Sequence, residues 1–142
     1  MKSFSESERR EFLSAVHVGV LAVDAGGGRP PGSFPIWYDY TADGLIRINT
    51  GTASRKARLI RAAGAVTLTV QREEPPYQYV VVEGTVVDTV ESSPRDVREA
   101  IASRYLGAEG GRAFVESMGD TESVLFTIRP DRWVSADYSG DV

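Results

Sequence analysis

The stretch YQYVVVEGTVVDTV at residues 77–90 is the longest β-type run in this chain of 142 residues. Because successive side chains of a strand point to opposite faces, we expect Val80, Val82 and Val86 on one face. Gly84 interrupts the run where a continuous strand would be weakened, which is typical of a β-bulge or bend. A bend at this point predicts a sheet that curls toward a closed barrel.

The other elements predicted around this strand are short. Helices are predicted from Ser5 to Ala15 with Ser5 or Ser7 as the cap, and from a cap at Ser54 to Gly64. Two more are predicted from a cap at Ser93, with Pro94 at the first helical position, to Gly107, and from about Gly111 to Met118. Strands are predicted at 17–23, 33–40, 45–50, 65–72, 123–128 and around 132–134, with a hairpin turn at 42–44. An opening meander followed by one crossover helix indicates an antiparallel α+β barrel, and we expect residues 1–142 to form a single domain.

Composition removes several classes of function. The chain has no Cys and a single His, so it carries no disulfide framework, no thiolate zinc site and no histidine cluster for a metal. Its N-terminus is too polar for a signal peptide, and its longest mostly apolar run, residues 15–23, is too short to cross a bilayer. We therefore expect a cytoplasmic protein with no membrane partner.

Positive charge is concentrated in one segment. Residues 44–72 contain six Arg and Lys and no Asp or Glu, whereas the whole chain is net −4, so the remainder is net −10. Such a segment focuses its field on an anionic partner. The sequence pI of about 5.0 argues against nucleic acid as a partner.

TASRKARLIR at residues 52–61 lies at the centre of that segment and is typical of a hydroxyl-capped helix start. A helix N-terminus offers free N–H groups to a phosphate. Arg55 and Lys56 in the first turn oppose the helix dipole, which indicates that they serve a ligand. The alternative is a solvated basic helix face.

Common catalytic machinery is missing from the sequence. The glycines at 26–28 lead into a strand and not a helix, so no dinucleotide-binding turn is predicted. His17 lies among apolar residues, and the carboxylates of Glu73 and Glu74 sit in a polar, solvated turn next to two prolines, so neither position predicts a catalytic acid or base. With no catalytic side chain assigned, the pattern favours chemistry carried by a bound cofactor.

Several motifs resemble those of a known superfamily. They are FPIWY at 34–38, DG at 43–44, RINT at 47–50, SRKAR at 54–58, VTLTV at 66–70 and VEGT at 82–85. Together they resemble the pyridoxamine 5′-phosphate oxidase-like FMN-binding split β-barrel superfamily over residues 16–90. The chain lacks the Arg-x-Val-Leu-Leu-Lys and C-terminal Arg-x-His elements of vitamin B6 oxidases, and its Pro-x-Trp strand looks more like the actinobacterial flavin/deazaflavin (F420)-dependent oxidoreductases.

The resemblance implies a cofactor site. Its Ser-Arg-Lys element, which grips the flavin phosphate, corresponds to Ser54, Arg55 and Lys56. The residues expected to line the flavin or deazaflavin ring are Pro35, Ile36, Trp37, Asn49, Thr50 and Gly51. Arg58 and Arg61 exceed what one phosphate requires, and they share a helix face on which they could follow the oligoglutamate tail of F420.

The resemblance also implies a function and an assembly. We expect a homodimer that binds F420 and transfers hydride between the cofactor ring and an unsaturated small organic substrate. One alternative is an FMN-dependent oxidase or reductase. Another is a non-catalytic cofactor-binding module.

Overall fold

The computed structural model describes residues 1–141, which form three α-helices, seven β-strands and a short 3₁₀ turn. In chain order the elements are α1 (Glu6–Ser14), β1 (Gly19–Val23), β2 (Gly32–Ile36), β3 (Asp39–Tyr40), β4 (Ile46–Gly51), α2 (Arg55–Ala63), β5 (Ala65–Arg72), β6 (Gln78–Val90), α3 (Arg95–Ser117), β7 (Ser123–Asp137) and the turn Ser139–Asp141. Within residues 1–141 no helix is both long and apolar enough to cross a membrane.

The seven strands form one sheet in the order β2-β1-β5-β6-β7-β4-β3. Every neighbouring pair is antiparallel. The two edge strands, β2 and β3, follow each other directly in the chain and are joined only by Trp37 and Tyr38. The sheet therefore curls so that its two edges, which are not paired with each other, are joined through residues 37–38, a place that we call the seam. The predicted antiparallel α+β split barrel is confirmed.

Strand β6 contains the predicted irregularity. Its register against β7 shifts between Glu83 and Gly84. A Cβ at Gly84 would lie 2.5 Å from Ile128 Cγ2 and 2.8 Å from the Arg129 carbonyl oxygen, so only glycine lets β7 approach this closely. Val80 and Val82 are buried in the core as the alternation predicts.

Both N-terminal helices begin where the sequence indicates. Ser5 and Glu8 form a capping box at α1, with Ser5 N donating to Glu8 Oε1 at 2.9 Å and Glu8 N donating to Ser5 Oγ at 3.2 Å. Ser54 Oγ accepts from Ala57 N at 3.1 Å and caps α2, which ends at Gly64 with φ of 68°. These local signals place α2 with its basic first turn against β4.

Two strand assignments from the sequence are wrong. The predicted strand 33–40 is two strands, because β2 pairs with β1 while β3 pairs with β4 on the far side of the seam. The separate strands predicted at 123–128 and 132–134 are one strand, β7, which pairs along its length with β6 and along its first part with β4. The helix break predicted at Gly107 is confirmed, because Gly107 has φ of 79° and ψ of 166° and so divides α3 into two helical parts.

The start of α3 also differs from expectation. Pro94, and not Ser93, occupies the N-cap position, and no side chain caps this helix. Ser93 is only 8% exposed, and its Oγ has no hydrogen-bond partner within residues 1–141. A hydroxyl predicted to serve as a cap is thus buried and unused.

Candidate cofactor-binding site

A cavity of about 470 Å³ lies between the seam, the end of β4 and the concave side of α3. Its walls are mostly apolar, with two cations and several polar groups at the margins. The lining residues are Val18, Pro35, Ile36, Trp37, Asn49, Thr50, Gly51, Lys56, Arg98, Ile101, Ala102, Phe114, Val115, Met118, Thr121 and Ser123.

Seven of the eleven residues predicted for the cofactor site line this one cavity. They are Pro35, Ile36, Trp37, Asn49, Thr50, Gly51 and Lys56. The seam brings the end of β2 to the cavity, while β4 ends beside the start of α2. Three short segments separated in the sequence therefore face a common space.

The end of β4 supplies polar atoms and room. Asn49 Oδ1 is buried and has no hydrogen-bond partner within residues 1–141, which is unusual for a buried acceptor. A Cβ built at Gly51 meets no atom within 4 Å, so the space in front of this residue is open. Thr50 Oγ1 lies 3.2 Å from Ser54 Oγ and ties the strand end to the cap of α2.

Three of the four remaining predicted residues lie beside a second, shallower depression of about 500 Å³. Ser54, Arg58 and Arg61 line it. Arg61 is held by Glu91, with Nη2 to Oε1 at 2.6 Å, and by the Thr52 carbonyl at 3.1 Å. Arg58 is exposed at the same depression. Of the two arginines predicted to share a helix face, Arg61 is therefore already paired with Glu91, whereas within residues 1–141 Arg58 is free to meet an anion.

Arg55, the last of the four, lines neither space. Its guanidinium lies 5.6 Å from the centre of the Phe34 ring, and Lys56 Nζ lies 5.9 Å from the same ring. Within residues 1–141 no carboxylate lies within 4.0 Å of Arg55, Lys56 or Arg58. The start of α2 therefore presents cations that can meet an anion.

Arg47, another cation of the basic segment, is not available in this way. Its Nε and Nη2 donate to the two carboxylate oxygens of Asp39 at 2.9 and 2.6 Å. These hydrogen bonds raise the pKa of Arg47, and the pair is partly shielded from water. Arg47 thus fastens β3 to β4 beside the seam.

The wall at Trp37 is held from α3. The indole stacks on Tyr105 with ring centres 4.8 Å apart and an 8° angle between the planes, and it packs 5.3 Å from Phe114. The Tyr105 hydroxyl donates to the His17 carbonyl at 2.7 Å and accepts from Tyr38 N at 3.1 Å. Burial raises the pKa of this hydroxyl, so it remains a donor.

The sequence did not reveal the half of the cavity that α3 supplies. The missed lining residues are Arg98, Ile101, Ala102, Phe114 and Val115 on α3, Met118 at its C-cap, and Val18, Thr121 and Ser123 outside the helix. On a helix with apolar spacing, these positions are typical of an ordinary core-facing stripe. The one signal in the sequence was a cation, Arg98, on the same helix face as the apolar Ile101 and Ala102, which is unusual for a face that only packs on the core.

The chemistry that the lining permits is binding and orientation. No Asp, Glu or His is present among the lining residues of the described chain, and Trp37 and Phe114 offer flat apolar surfaces. Lys56 and Arg98 place positive charge at the rim. Such a cavity fits a planar molecule that carries an anionic group.

Sequence comparison gives a family. The profile of the pyridoxamine 5′-phosphate oxidase family matches residues 5–136. Among curated proteins there is no sequence match.

Comparison with solved structures gives relatives of the same fold. A protein described as an F420 reductase is 23% identical with a TM-score of 0.71, over 88% of this chain and 94% of that one. A conserved hypothetical protein of Mycobacterium tuberculosis is 23% identical with a TM-score of 0.74, over 95% and 86%. A protein of Mesorhizobium loti described as FAD-binding is 20% identical with a TM-score of 0.64, over 94% and 93%.

Proposed function

Since the chain belongs to the pyridoxamine 5′-phosphate oxidase family, whose members are mostly flavin-dependent oxidoreductases, we propose that it is an F420-dependent oxidoreductase. It transfers hydride between the deazaflavin ring and an unsaturated small organic substrate. The cavity carries this proposal, because it joins the ring-lining residues expected from the sequence to Lys56 at the start of α2.

The residues present fit a flavin-type cofactor. Asn49 Oδ1 is a buried acceptor without a partner, and the space in front of Gly51 is open, as a ring edge with N–H donors requires. Lys56, with the N–H groups of the first α2 turn, would hold a phosphate. Ser54 Oγ, already used as the helix cap, keeps that turn in place.

When bound, the deazaflavin ring supplies or accepts the hydride. The chain's own part is to orient the two reactants. Trp37, fixed by Tyr105 and Phe114, provides a flat wall, and Ile101 and Val115 add apolar surface to the lining. Holding two reactants in a defined geometry lowers the barrier to hydride transfer, and the proton that completes reduction of the substrate comes from solvent at the open side of the cavity.

The choice of F420 over FMN rests on cations beyond one phosphate clamp. Arg58, exposed at the second depression, is placed to meet a carboxylate of an oligoglutamate tail. One observation favours the FMN alternative: Arg61 is paired with Glu91, whose own charge opposes an acidic tail. We therefore keep an FMN-dependent oxidase or reductase as the second candidate.

A turnover assay distinguishes the F420-dependent and FMN-dependent enzyme candidates from a non-catalytic binding module. With reduced F420 and a panel of activated alkenes and quinones, the proposal predicts substrate-dependent return of the oxidised deazaflavin absorbance. Turnover with reduced FMN alone would select the second candidate. Tight cofactor binding without turnover across the panel would mark a non-catalytic binding module.

We also infer that the protein functions as a homodimer in the cytoplasm. Phe114 and Met118, which line the cavity, are 41% and 42% exposed, so one chain leaves the cofactor site partly open. Sedimentation equilibrium should give twice the 15.4 kDa mass of the chain, and a monomer at micromolar concentration would contradict this inference.

A further inference from the structure

Five cations of the described chain are half-buried: Arg9, Arg47, Lys56, Arg98 and Arg104. Three have evident partners. Arg47 is paired with Asp39, Arg9 lies 4.7 Å from the Trp133 ring centre, and Arg104 lies over Tyr38 while donating to the Ser14 and Ala15 carbonyls. Lys56 belongs to the proposed phosphate site, and Arg98 is held through one atom only, its Nε, which donates to the Ser93 carbonyl.

Arg98 lies where the main cavity meets a smaller polar recess of about 210 Å³. The recess is formed by the start of α3 and the approach to β7. It is lined by Ser92, Ser93, Arg98, Gly119, Asp120, Thr121, Glu122 and Ser123. Arg98, Thr121 and Ser123 line both spaces, so the recess is a polar annex of an apolar cavity.

Backbone contacts fix the geometry of the recess. Ser93 N donates to the Ser123 carbonyl at 3.1 Å, and Arg98 Nε donates to the Ser93 carbonyl at 3.2 Å. Within residues 1–141 no carboxylate lies within 4.0 Å of the Arg98 guanidinium. Its orientation is therefore set by Nε, while Nη1 and Nη2 make no hydrogen bond to residues 1–141.

Ser93 supplies a second, independent indication of a ligand. The residue is 8% exposed and lines the recess, and its Oγ has no partner within residues 1–141. A buried hydroxyl without a partner costs free energy unless a bound group satisfies it. Ser93 and Arg98 line the same recess, so an oxyanion bound there would offer an acceptor to the hydroxyl and to the guanidinium.

Two carboxylates also border the recess. Asp120 and Glu122 are exposed, so water and salt screen their repulsion of an anion. Arg98 is half-buried beside apolar residues, where its field is screened less. The three charged side chains of the recess sum to a formal −1, but the least screened of them is the guanidinium of Arg98.

We propose that Arg98 and Ser93 form a subsite for an oxyanion, and that this group is the carboxylate of a substrate whose flat apolar part occupies the main cavity. The inference rests on the proposed function only in taking the cavity as the place where a substrate meets a cofactor. The same oxyanion chemistry could come from a cofactor phosphate, and the experiment separates these two sources.

The test uses calorimetric titration of the full chain with trans-cinnamate and with cinnamamide, its uncharged counterpart. The wild type should bind cinnamate about ten- to a hundredfold more tightly, as expected for a carboxylate paired with a half-buried arginine. Arg98→Gln should abolish this preference, and Ser93→Ala should reduce it several-fold. Arg112→Gln, an exposed position on the same helix, is the matched control and should keep it.

Other outcomes overturn the subsite. A preference that survives in Arg98→Gln and disappears in Lys56→Gln would place the anion at α2. No preference in the wild type would contradict the proposal directly. A loss of F420 or FMN affinity in Arg98→Gln with cinnamate binding unchanged would assign the recess to the cofactor.

Failure of the Arg98–Ser93 subsite can be told apart from failure of the proposed oxidoreductase function. If neither F420 nor FMN binds while the cinnamate preference still depends on Arg98, the subsite stands and the oxidoreductase proposal fails. If cofactor binds and turns over while cinnamate and cinnamamide bind equally, the oxidoreductase proposal stands and the subsite fails.

Discussion

Lys56 joins the capped start of α2 to the cavity, and the proposed phosphate site depends on it more than on any other side chain. It is half-buried, lines the cavity and has no carboxylate within 4.0 Å in residues 1–141. Arg55 is exposed over Phe34 and lines neither the cavity nor the depression beside it. Of these two adjacent cations, Lys56 is therefore expected to contribute more to binding a phosphate in the cavity than Arg55.

We predict that Lys56→Ala lowers cofactor affinity about ten- to a hundredfold, because it removes one charge-assisted contact of roughly 1.5 to 3 kcal/mol. Arg55→Ala should have a smaller effect in the same direction. Fluorescence titration at matched thermal stability measures both, with Arg112→Ala as the control. Unchanged affinity in both α2 variants would remove the phosphate site from α2.

His17 is a structural residue that responds to pH. Its ring stacks on Phe12 with centres 4.5 Å apart, and its Nε2 is buried without a partner in residues 1–141. Burial, followed by the charge of Arg104, lowers the pKa of His17 below its ordinary value of 6.5. The folded protein therefore resists a proton that the unfolded chain accepts.

The sign of this effect gives a prediction. As pH falls from about 7.5 through 6.5, the unfolded chain binds a proton first, so the free energy of unfolding should decrease until the folded His17 also titrates. Glu8, Asp131 and Asp137 have lowered pKa values and act only at more acidic pH. Urea unfolding between pH 7.5 and 5.5 should show this slope in the wild type and a flatter one in His17→Gln. Equal slopes would show that His17 does not titrate differently on folding.

At the scale of elements, α3 closes the seam that the sheet leaves open. The Tyr105 hydroxyl bonds the backbone of His17, before β1, and of Tyr38, between β2 and β3. One side chain from a helix thus takes the place of a strand partner. It also fixes Trp37, which lines the cavity.

Tyr105→Phe tests this arrangement because it keeps the stacked ring and removes the hydroxyl. We expect a loss of about 1 to 3 kcal/mol in the free energy of unfolding, since buried backbone groups are left unpaired. We also expect weaker cofactor binding and a changed Trp37 fluorescence. Tyr77→Phe, at a 55% exposed position, is the control. If the two variants behave alike, the seam does not depend on the Tyr105 hydroxyl.

The exposed face of α2 decides between cofactors. Changing both Arg58 and Arg61 to Gln should weaken F420 binding about tenfold and leave FMN nearly unaffected, because each exposed pair contributes about 0 to 1 kcal/mol. Added salt should reduce the difference by screening. Equal losses for both cofactors would place these arginines at the phosphate, and no loss would make them a solvated face.

Local elements could be predicted from the sequence because their signals are local. The capping box of α1, the Ser54 cap and Gly64 end of α2, and the alternation of β5 each lie within a few residues of the element they define. The break at Trp37 and Tyr38 could not be predicted, because it depends on β2 and β3 pairing with strands at opposite ends of the sheet. The unbroken β7 likewise depends on two distant partners.

The residues of the candidate site also fall into two groups, those that the sequence predicted and those that it did not. The residues from the seam, β4 and the start of α2 were accessible through motifs, and Pro35, Asn49 and Lys56 do line one cavity. The wall from α3 has no motif, and Ile101 or Val115 is indistinguishable in sequence from a core residue. Ser93 was mistaken for a cap because its hydroxyl fits both roles.

At the scale of the whole molecule, the fold places positive charge and apolar surface side by side. The net +6 segment runs from the β3–β4 turn through α2 to the end of β5, in a chain of net −4. Its cations without carboxylate partners in residues 1–141 include Lys56 at the cavity. An acidic surface elsewhere directs anions toward this end of the molecule.

The most direct test of the account is a fluorescence titration of the purified, cofactor-free protein with F420 and with FMN. We predict saturable F420 binding that is tighter than FMN binding and is weakened about ten- to a hundredfold in Lys56→Ala. Tighter binding of FMN with the same dependence on Lys56 would select the FMN-dependent candidate. Failure of both cofactors to bind would contradict the assignment of this cavity to a flavin-type cofactor.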